Sequence, residues 1–213
     1  MIFYEYGDPS AELTLVQMVD GHDLEFIESE AAAIRKDAKE PFSLIACRVK
    51  DWNKDLSPWK APAVFGREDF GDGAAATLAQ VLNQCADPGK RYIIGGYSLA
   101  GLFALWAAYQ TGRFRAVAAA SPSIWFPGFI DYMKEREINA EAVYLSLGDR
   151  EEKTRNPLMA TVGERIREAY DLLSNSINCV LEWNQGNHFK DADLRTARAF
   201  IWAMEHASGS KML

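Results

Sequence analysis

Short apolar runs alternate along this chain with longer stretches in which apolar positions recur at helical spacing. Runs at 2–6, 13–19, 42–49, 91–95, 116–120, 142–147 and 179–183 predict strands. Stretches at 24–36, 74–85, 99–110, 129–136, 157–173 and 191–206 predict helices. Strands separated by helices need crossover connections, so the predicted architecture is α/β, with a mostly parallel sheet of about seven strands covered on both faces. Runs such as Tyr92-Ile93-Ile94 and Ala116-Val117-Ala118-Ala119-Ala120 are apolar throughout, as strands buried on both faces should be. Between the first two runs stands Gly7-Asp8-Pro9-Ser10, a turn string that predicts an antiparallel hairpin at one edge. The least regular piece is 50–73, with Pro58, Pro62, Gly66, Gly71 and Gly73, and a loop of that length within a compact domain usually serves function. With no linker, repeat or low-complexity tract, residues 1–213 read as one domain.

Charge narrows the partners. Thirty acidic residues against 23 basic ones leave a net charge of −7, which excludes a phosphate-backbone binder. Cys47, Cys85 and Cys179 are odd in number and lack a CxxC pair, so they read as buried thiols of a reducing compartment. His22, His188 and His206 lie far apart, without a second His or Cys at ligand spacing, so no metal is expected. The opening MIFYEYGDPS has no basic stretch leading into an apolar one, and the expectation is a cytoplasmic protein. Residues 92–112 run uncharged for long enough to cross a bilayer, yet Gly95, Gly96, Ser98 and Gly101 interrupt them. A buried strand turning into a buried helix explains that segment better than a membrane span.

The turn in question is Gly95-Gly96-Tyr97-Ser98-Leu99-Ala100-Gly101. It sits between a predicted strand and a predicted helix, the context a nucleophile elbow requires. A serine on so tight a turn needs small residues two positions either side, supplied here by Gly96 and Ala100. The turn would lift the Ser98 hydroxyl into the crevice at the strand ends, with the Leu99 N–H at the helix N-terminus aimed at the same spot. A serine hydroxyl needs a base, and the base an orienting carboxylate, in the chain order Ser, acid, His. His188 follows the strand at 179–183 in a loop, Asn184-Gln185-Gly186-Asn187-His188-Phe189, and is the candidate base. His206, inside the last helix, reads as a surface or capping residue. The acid falls in Gly148-Asp149-Arg150-Glu151-Glu152, with Glu151 the first choice, Asp149 the second and Glu152 the third. A Ser–His dyad without an acid stays open. Tyr97, Trp125, Phe126 and Trp52 are candidate pocket walls, with core packing at least as good a reading for any one of them.

With these residues in place, the chain resembles the α/β-hydrolase superfamily, and within it the esterase group that includes esterase D-like enzymes, S-formylglutathione hydrolases and enterochelin esterases. The resemblance runs through Met18–Asp23, Trp52–Trp59, the elbow, Ser121–Trp125, Leu147–Glu152 and Gly186–Phe189. It implies a three-layer α/β-hydrolase fold, with Ser98 as nucleophile and His188 as base. It also implies an acid three residues after the glycine closing its strand, which counts from Gly148 to Glu151. The backbone N–H of His22, beside Gly21, matches the family's second oxyanion donor. Two departures stand out: Ala100 replaces the second motif glycine, and the chain has room for about seven strands where relatives have eight or more. Only 123–140 could form a cap, so the site should be fairly open.

The expectation is therefore hydrolysis of a small-molecule carboxylic ester or thioester, without metal or organic cofactor and without a membrane or nucleic-acid partner. A homodimer is left open. Acyl transfer to an alcohol or amine would use the same residues, and a binding protein that kept the fold but lost catalysis is the rival of a different class.

Overall fold

The computed structural model describes residues 1–64 and 66–207. Seven strands form one sheet in the order β1-β3-β2-β4-β5-β6-β7. They are β1 (Ile2–Gly7), β2 (Leu13–Val19), β3 (Phe42–Arg48), β4 (Arg91–Tyr97), β5 (Phe114–Ala120), β6 (Ala142–Gly148) and β7 (Asn178–Asn184). The helices are α1 (Asp23–Asp37), α2 (Trp52–Asp55), α3 (Ala74–Gln84), α4 (Leu99–Gln110), α5 (Phe129–Lys134), α6 (Val162–Ser174) and α7 (Ala192–His206). All neighbouring strands pair in parallel except β1, which runs antiparallel to β3.

The expected hairpin between β1 and β2 is not formed. β1 pairs with β3, in the register Ile2 to Arg48 through Gly7 to Ser43. The reason lies in the two strands' surfaces. Every residue of β2 is buried, so it needs a strand on each edge and helices on each face, whereas β1 has only exposed and half-buried positions. β2 therefore lies inside the sheet between β3 and β4, and β1 takes the edge beyond β3. Gly7 turns the chain with φ +82°, and the Asp8 N–H donates to the Phe42 carbonyl at 2.9 Å.

Two apolar layers sandwich the sheet. On one face α1 and α7 cover Leu13, Leu15, Val19, Ala116, Ala118 and Tyr144. On the other, α3, α4 and α6 cover Val16, Ile94, Val117, Val143 and Leu145. The uncharged stretch at 92–112 is β4 followed by α4, and α4 is buried from Leu99 through Ala108 because it packs on β4 and β5 at the centre. Among the described residues, no helix is long and apolar enough to cross a membrane.

The irregular stretch at 50–73 holds α2 and a single antiparallel bridge from Ala61 to Phe70. The segment 123–140, expected as a small cap, is the crossover from β5 to β6 and contains α5. Trp59 lies against Phe126, Phe129 and Tyr132 with ring centroids 5.8, 6.2 and 5.4 Å apart, which ties this crossover to the irregular stretch. Parallel strands send all their following loops to one end of the sheet, so the loops after β2, β4, β5, β6 and β7 meet there.

Candidate active site

Ser98 stands between β4 and α4 with φ 57° and ψ −122°, a conformation that costs a non-glycine residue about 1–3 kcal/mol. Its neighbours show why the turn demands small residues. A Cβ on Gly96 would lie 2.7 Å from the Cβ of Ala100, so position 100 tolerates alanine only because 96 is glycine. A Cβ on Gly95 would meet Phe200 at 2.6 Å and the Ala118 carbonyl at 2.7 Å. Ser121 (φ 41°) and Asp191 (φ 54°) are the other described non-glycine residues with positive φ, and both also sit in loops at this end of the sheet.

The loops bring three groups from distant parts of the chain into one line. Ser98 Oγ lies 3.0 Å from His188 Nε2, and His188 Nδ1 lies 2.7 Å from Glu151 Oε2. With its Nδ1 proton turned to Glu151, the imidazole leaves Nε2 free to accept the serine proton. Ser98 is half-buried and its Oγ is also 3.3 Å from Ser123 Oγ. Leu99, the first residue of α4, has an N–H with no acceptor within its helix, pointing along the positive end of the helix dipole.

The acid loop separates its three candidates. Glu151 is buried and faces the imidazole. Asp149 is exposed and accepts the Gly186 N–H at 2.8 Å, bracing the histidine loop. Glu152 turns outward to Arg167 at 3.6 Å. The tight turn after β6, closed by the Glu151 N–H on the Gly148 carbonyl at 3.1 Å, decides which side chain swings inward.

Glu151 Oε1 accepts three further hydrogen bonds: the Gly148 N–H at 2.7 Å, the Ser121 hydroxyl at 2.8 Å and Arg195 Nη1 at 3.0 Å. Burial pushes this carboxyl up, but hydrogen bonds from His188, Gly148 and Ser121 outweigh it and hold the group below the usual carboxylate range. A carboxylate whose folded pKa is lowered contributes stability above its unfolded value, and that contribution is lost as pH falls through the folded one. The thermal midpoint should therefore drop as pH falls below about 4.5, the ordinary glutamate value, and drop less steeply in Glu151→Gln.

Arg195 is a participant that the sequence reading missed. Its side chain is 1% exposed, and besides Glu151 it donates to the Tyr97 hydroxyl at 2.9 Å and Ser121 Oγ at 3.3 Å. A signal existed: Arg195, Ala199 and Ala203 share the buried stripe of α7, and an arginine there needs a partner inside the protein.

The other expected residues divide. Trp52 and Trp125 line a cavity of about 440 Å³ with Ser98, Met159, Val162 and His188. Tyr97 does not: strand alternation turns it to the α1–α7 face, where its hydroxyl donates to the His188 carbonyl at 2.8 Å. Phe126 packs away from the cleft against Trp59 and Phe70. His22 stands at the expected turn after β2, but its N–H donates to Asp20 Oδ1 at 2.7 Å, as does that of Asp23 at 2.8 Å. Asp20 thus uses the His22 N–H to start α1, and the His22 residue lines a neighbouring cavity.

No family model and no curated protein matches the sequence. Solved structures do match its fold. An IroE-like serine hydrolase from Shewanella oneidensis superposes with a TM-score of 0.76 at 11% identity, covering 95% of this chain and 75% of that one. Siderophore hydrolase EstA from Aspergillus nidulans gives 0.65 at 18% identity, over 95% and 86%. This chain has the α/β-hydrolase fold. Zea mays acyl-protein thioesterase 2 shares it too, with a TM-score of 0.60 at 14% identity over 95% of this chain and 99% of that one. In this chain the β4–Ser98–α4 junction is a tight strand–turn–helix, and Glu151 and His188 stand in the loops after β6 and β7.

Proposed function

We propose that this protein is a serine hydrolase that cleaves a carboxylic ester or thioester through an acyl-enzyme on Ser98. The observation that carries the reading is the unbroken line from Ser98 Oγ through His188 to Glu151, at 3.0 and 2.7 Å. In it, Ser98 Oγ attacks the carbonyl carbon while His188 Nε2 takes its proton. His188 then gives that proton to the departing alcohol or thiol, and a water activated by the same nitrogen releases the acid. Glu151 holds the imidazole in the right tautomer and balances its positive charge, without itself being protonated.

The oxyanion of the tetrahedral intermediate is stabilised by the Leu99 N–H, a contribution of about 3 kcal/mol for one such donor. The His22 N–H serves as a second donor only once it leaves Asp20, to which it is bonded in this structure. Trp52, Trp125, Met159 and Val162 make an apolar wall suited to an acyl chain or an aryl group. The names of the structural neighbours, a siderophore hydrolase and an acyl-protein thioesterase among them, support ester or thioester cleavage as the reaction class.

The direct test is labelling with a fluorophosphonate, in which Ser98 Oγ displaces fluoride from phosphorus. The expected result is one adduct on the Ser98 peptide by mass spectrometry, absent in Ser98→Ala. A folded protein that takes no label, or takes it elsewhere, would overturn the assignment.

A further inference from the structure

Beside the Ser98 cleft lies a second cavity, of about 290 Å³, between the N-terminal halves of α1 and α7 over the ends of β2 and β4. That is just under the range for ligand pockets, about 300–1,000 Å³, so it suits a compact group. Tyr97, next to Ser98, forms part of its wall, and Phe189, next to His188, lines both cavities. An extended molecule bound at Ser98 can therefore reach into it past the Phe189 ring, which is 88% exposed.

The chemistry of the lining is one-sided. Glu30, 4% exposed, and Gln17, also 4% exposed, meet through Gln17 Nε2 and Glu30 Oε2 at 3.2 Å. The remaining oxygen of each side chain, Glu30 Oε1 and the amide Oε1 of Gln17, is buried without a hydrogen-bond partner. Leaving such an oxygen unpaired costs about 1–3 kcal/mol. Asp23, Asp191 and Asp193, with His22 and Thr196, complete the polar wall, and neither Lys nor Arg lines it. Burial, with Asp23 and Asp193 close by, pushes the Glu30 carboxyl up to about 8. Burial and the charge of Asp20 likewise raise Asp23. Among the lining side chains, only the His22 imidazole can carry a positive charge toward these acceptors. The described residues hold no group of three or more His, Cys, Asp or Glu able to bind a metal ion.

We propose that this cavity is a subsite for a primary ammonium group, so that the ester cleaved at Ser98 carries an alkylamine arm. The statement about the ester rests on the hydrolase reading above; the binding site itself does not. An ammonium has three N–H donors and no acceptor, which matches Glu30 Oε1, Gln17 Oε1 and one aspartate of the rim. Its charge supplies what the buried carboxyl lacks, and its alkyl stem passes Phe189 and Met18 on the way in. A neutral hydroxyl would satisfy fewer of the acceptors, and a carboxylate would be repelled.

The test begins with binding, using hexylammonium as probe and the Ser98→Ala protein so that no turnover is involved. Calorimetry should show saturable binding of hexylammonium, at least tenfold tighter than 1-hexanol, with none of hexanoate. Glu30→Gln, and separately Asp193→Asn on the half-exposed rim, should each weaken it, the former at least tenfold. Equal binding of hexylammonium and hexanol, or binding indifferent to both substitutions in folded variants, would overturn the site. Wild-type enzyme is then given esters matched except that an ammonium replaces a terminal methyl, placed on the acyl side in one pair and on the alcohol side in the other. The ammonium ester should be preferred at least tenfold in kcat/KM in one of the two pairs, and Glu30→Gln should erase that preference. No preference in either pair, with binding intact, would overturn the substrate assignment alone. Failure of the fluorophosphonate to label Ser98 would instead fall on the hydrolase reading and leave the binding result standing.

Discussion

Ser98→Ala is expected to lower kcat/KM for p-nitrophenyl butyrate by at least about 10⁴-fold. The group removed is the hydroxyl that attacks the carbonyl, and the remaining imidazole and oxyanion donor supply only weak catalysis without it. Stability should hardly change. Ser98 Oγ touches only His188 at 3.0 Å and Ser123 at 3.3 Å, in a half-buried position where water can take its place. Alanine bears the φ of 57° about as well as serine does, so no new strain enters. The thermal midpoint should move by no more than a few degrees. Turnover that survives the substitution in a purified, folded protein would mean that another nucleophile does the work.

Arg195→Met should have the largest effect on stability and a large one on rate. Arg195 and Glu151 are buried to 1% and 4% side-chain exposure, 3.0 Å apart. Removing one member of such a pair strands the other charge, at a cost of about 3–5 kcal/mol. For a chain of this size that corresponds to a fall in thermal midpoint of about 10 °C. The same substitution frees the Tyr97 hydroxyl, which otherwise links Arg195 to the carbonyl of His188, so the imidazole loses part of its support. Activity should fall more than the folded fraction does. The informative control is Arg195→Met with Glu151→Gln, which removes the stranded charge. It should recover part of the lost stability and none of the activity. A double variant whose loss equals the sum of the two single losses would show that the pair is not coupled.

Much of this site was legible along the chain because its pieces are local. The run β4–Ser98–α4 combines an apolar strand, small turn residues and an apolar helix within about twenty positions, and the helix bounds 99–110 stand as read. The histidine loop could be found because it follows a strand and holds the lone downstream histidine outside a helix. Asp149, Glu151 and Glu152, in contrast, carry the same chemistry within four positions, and only the turn geometry after β6 separates them. Tyr97 lines the neighbouring cavity and not the one at Ser98, because a residue count across a tight turn does not say on which face of the sheet a ring emerges. The His22 N–H stands at the expected turn, but spacing alone did not show that the Asp20 carboxylate two residues earlier holds it.

The strand and helix pattern and the Ser–His order are written along the chain, and the amino-acid sequence alone determined them. Periodicity and turn chemistry act over a few positions, so they survive without knowledge of the whole. The partner of β1, the buried Arg195 beneath Glu151, and the unpaired oxygens of Gln17 and Glu30 were decided only by the tertiary structure. Each depends on which segments, 13 to 46 positions apart, come together in the fold. Removal from water makes an unpaired charge or oxygen costly, and no local pattern records where that removal takes place.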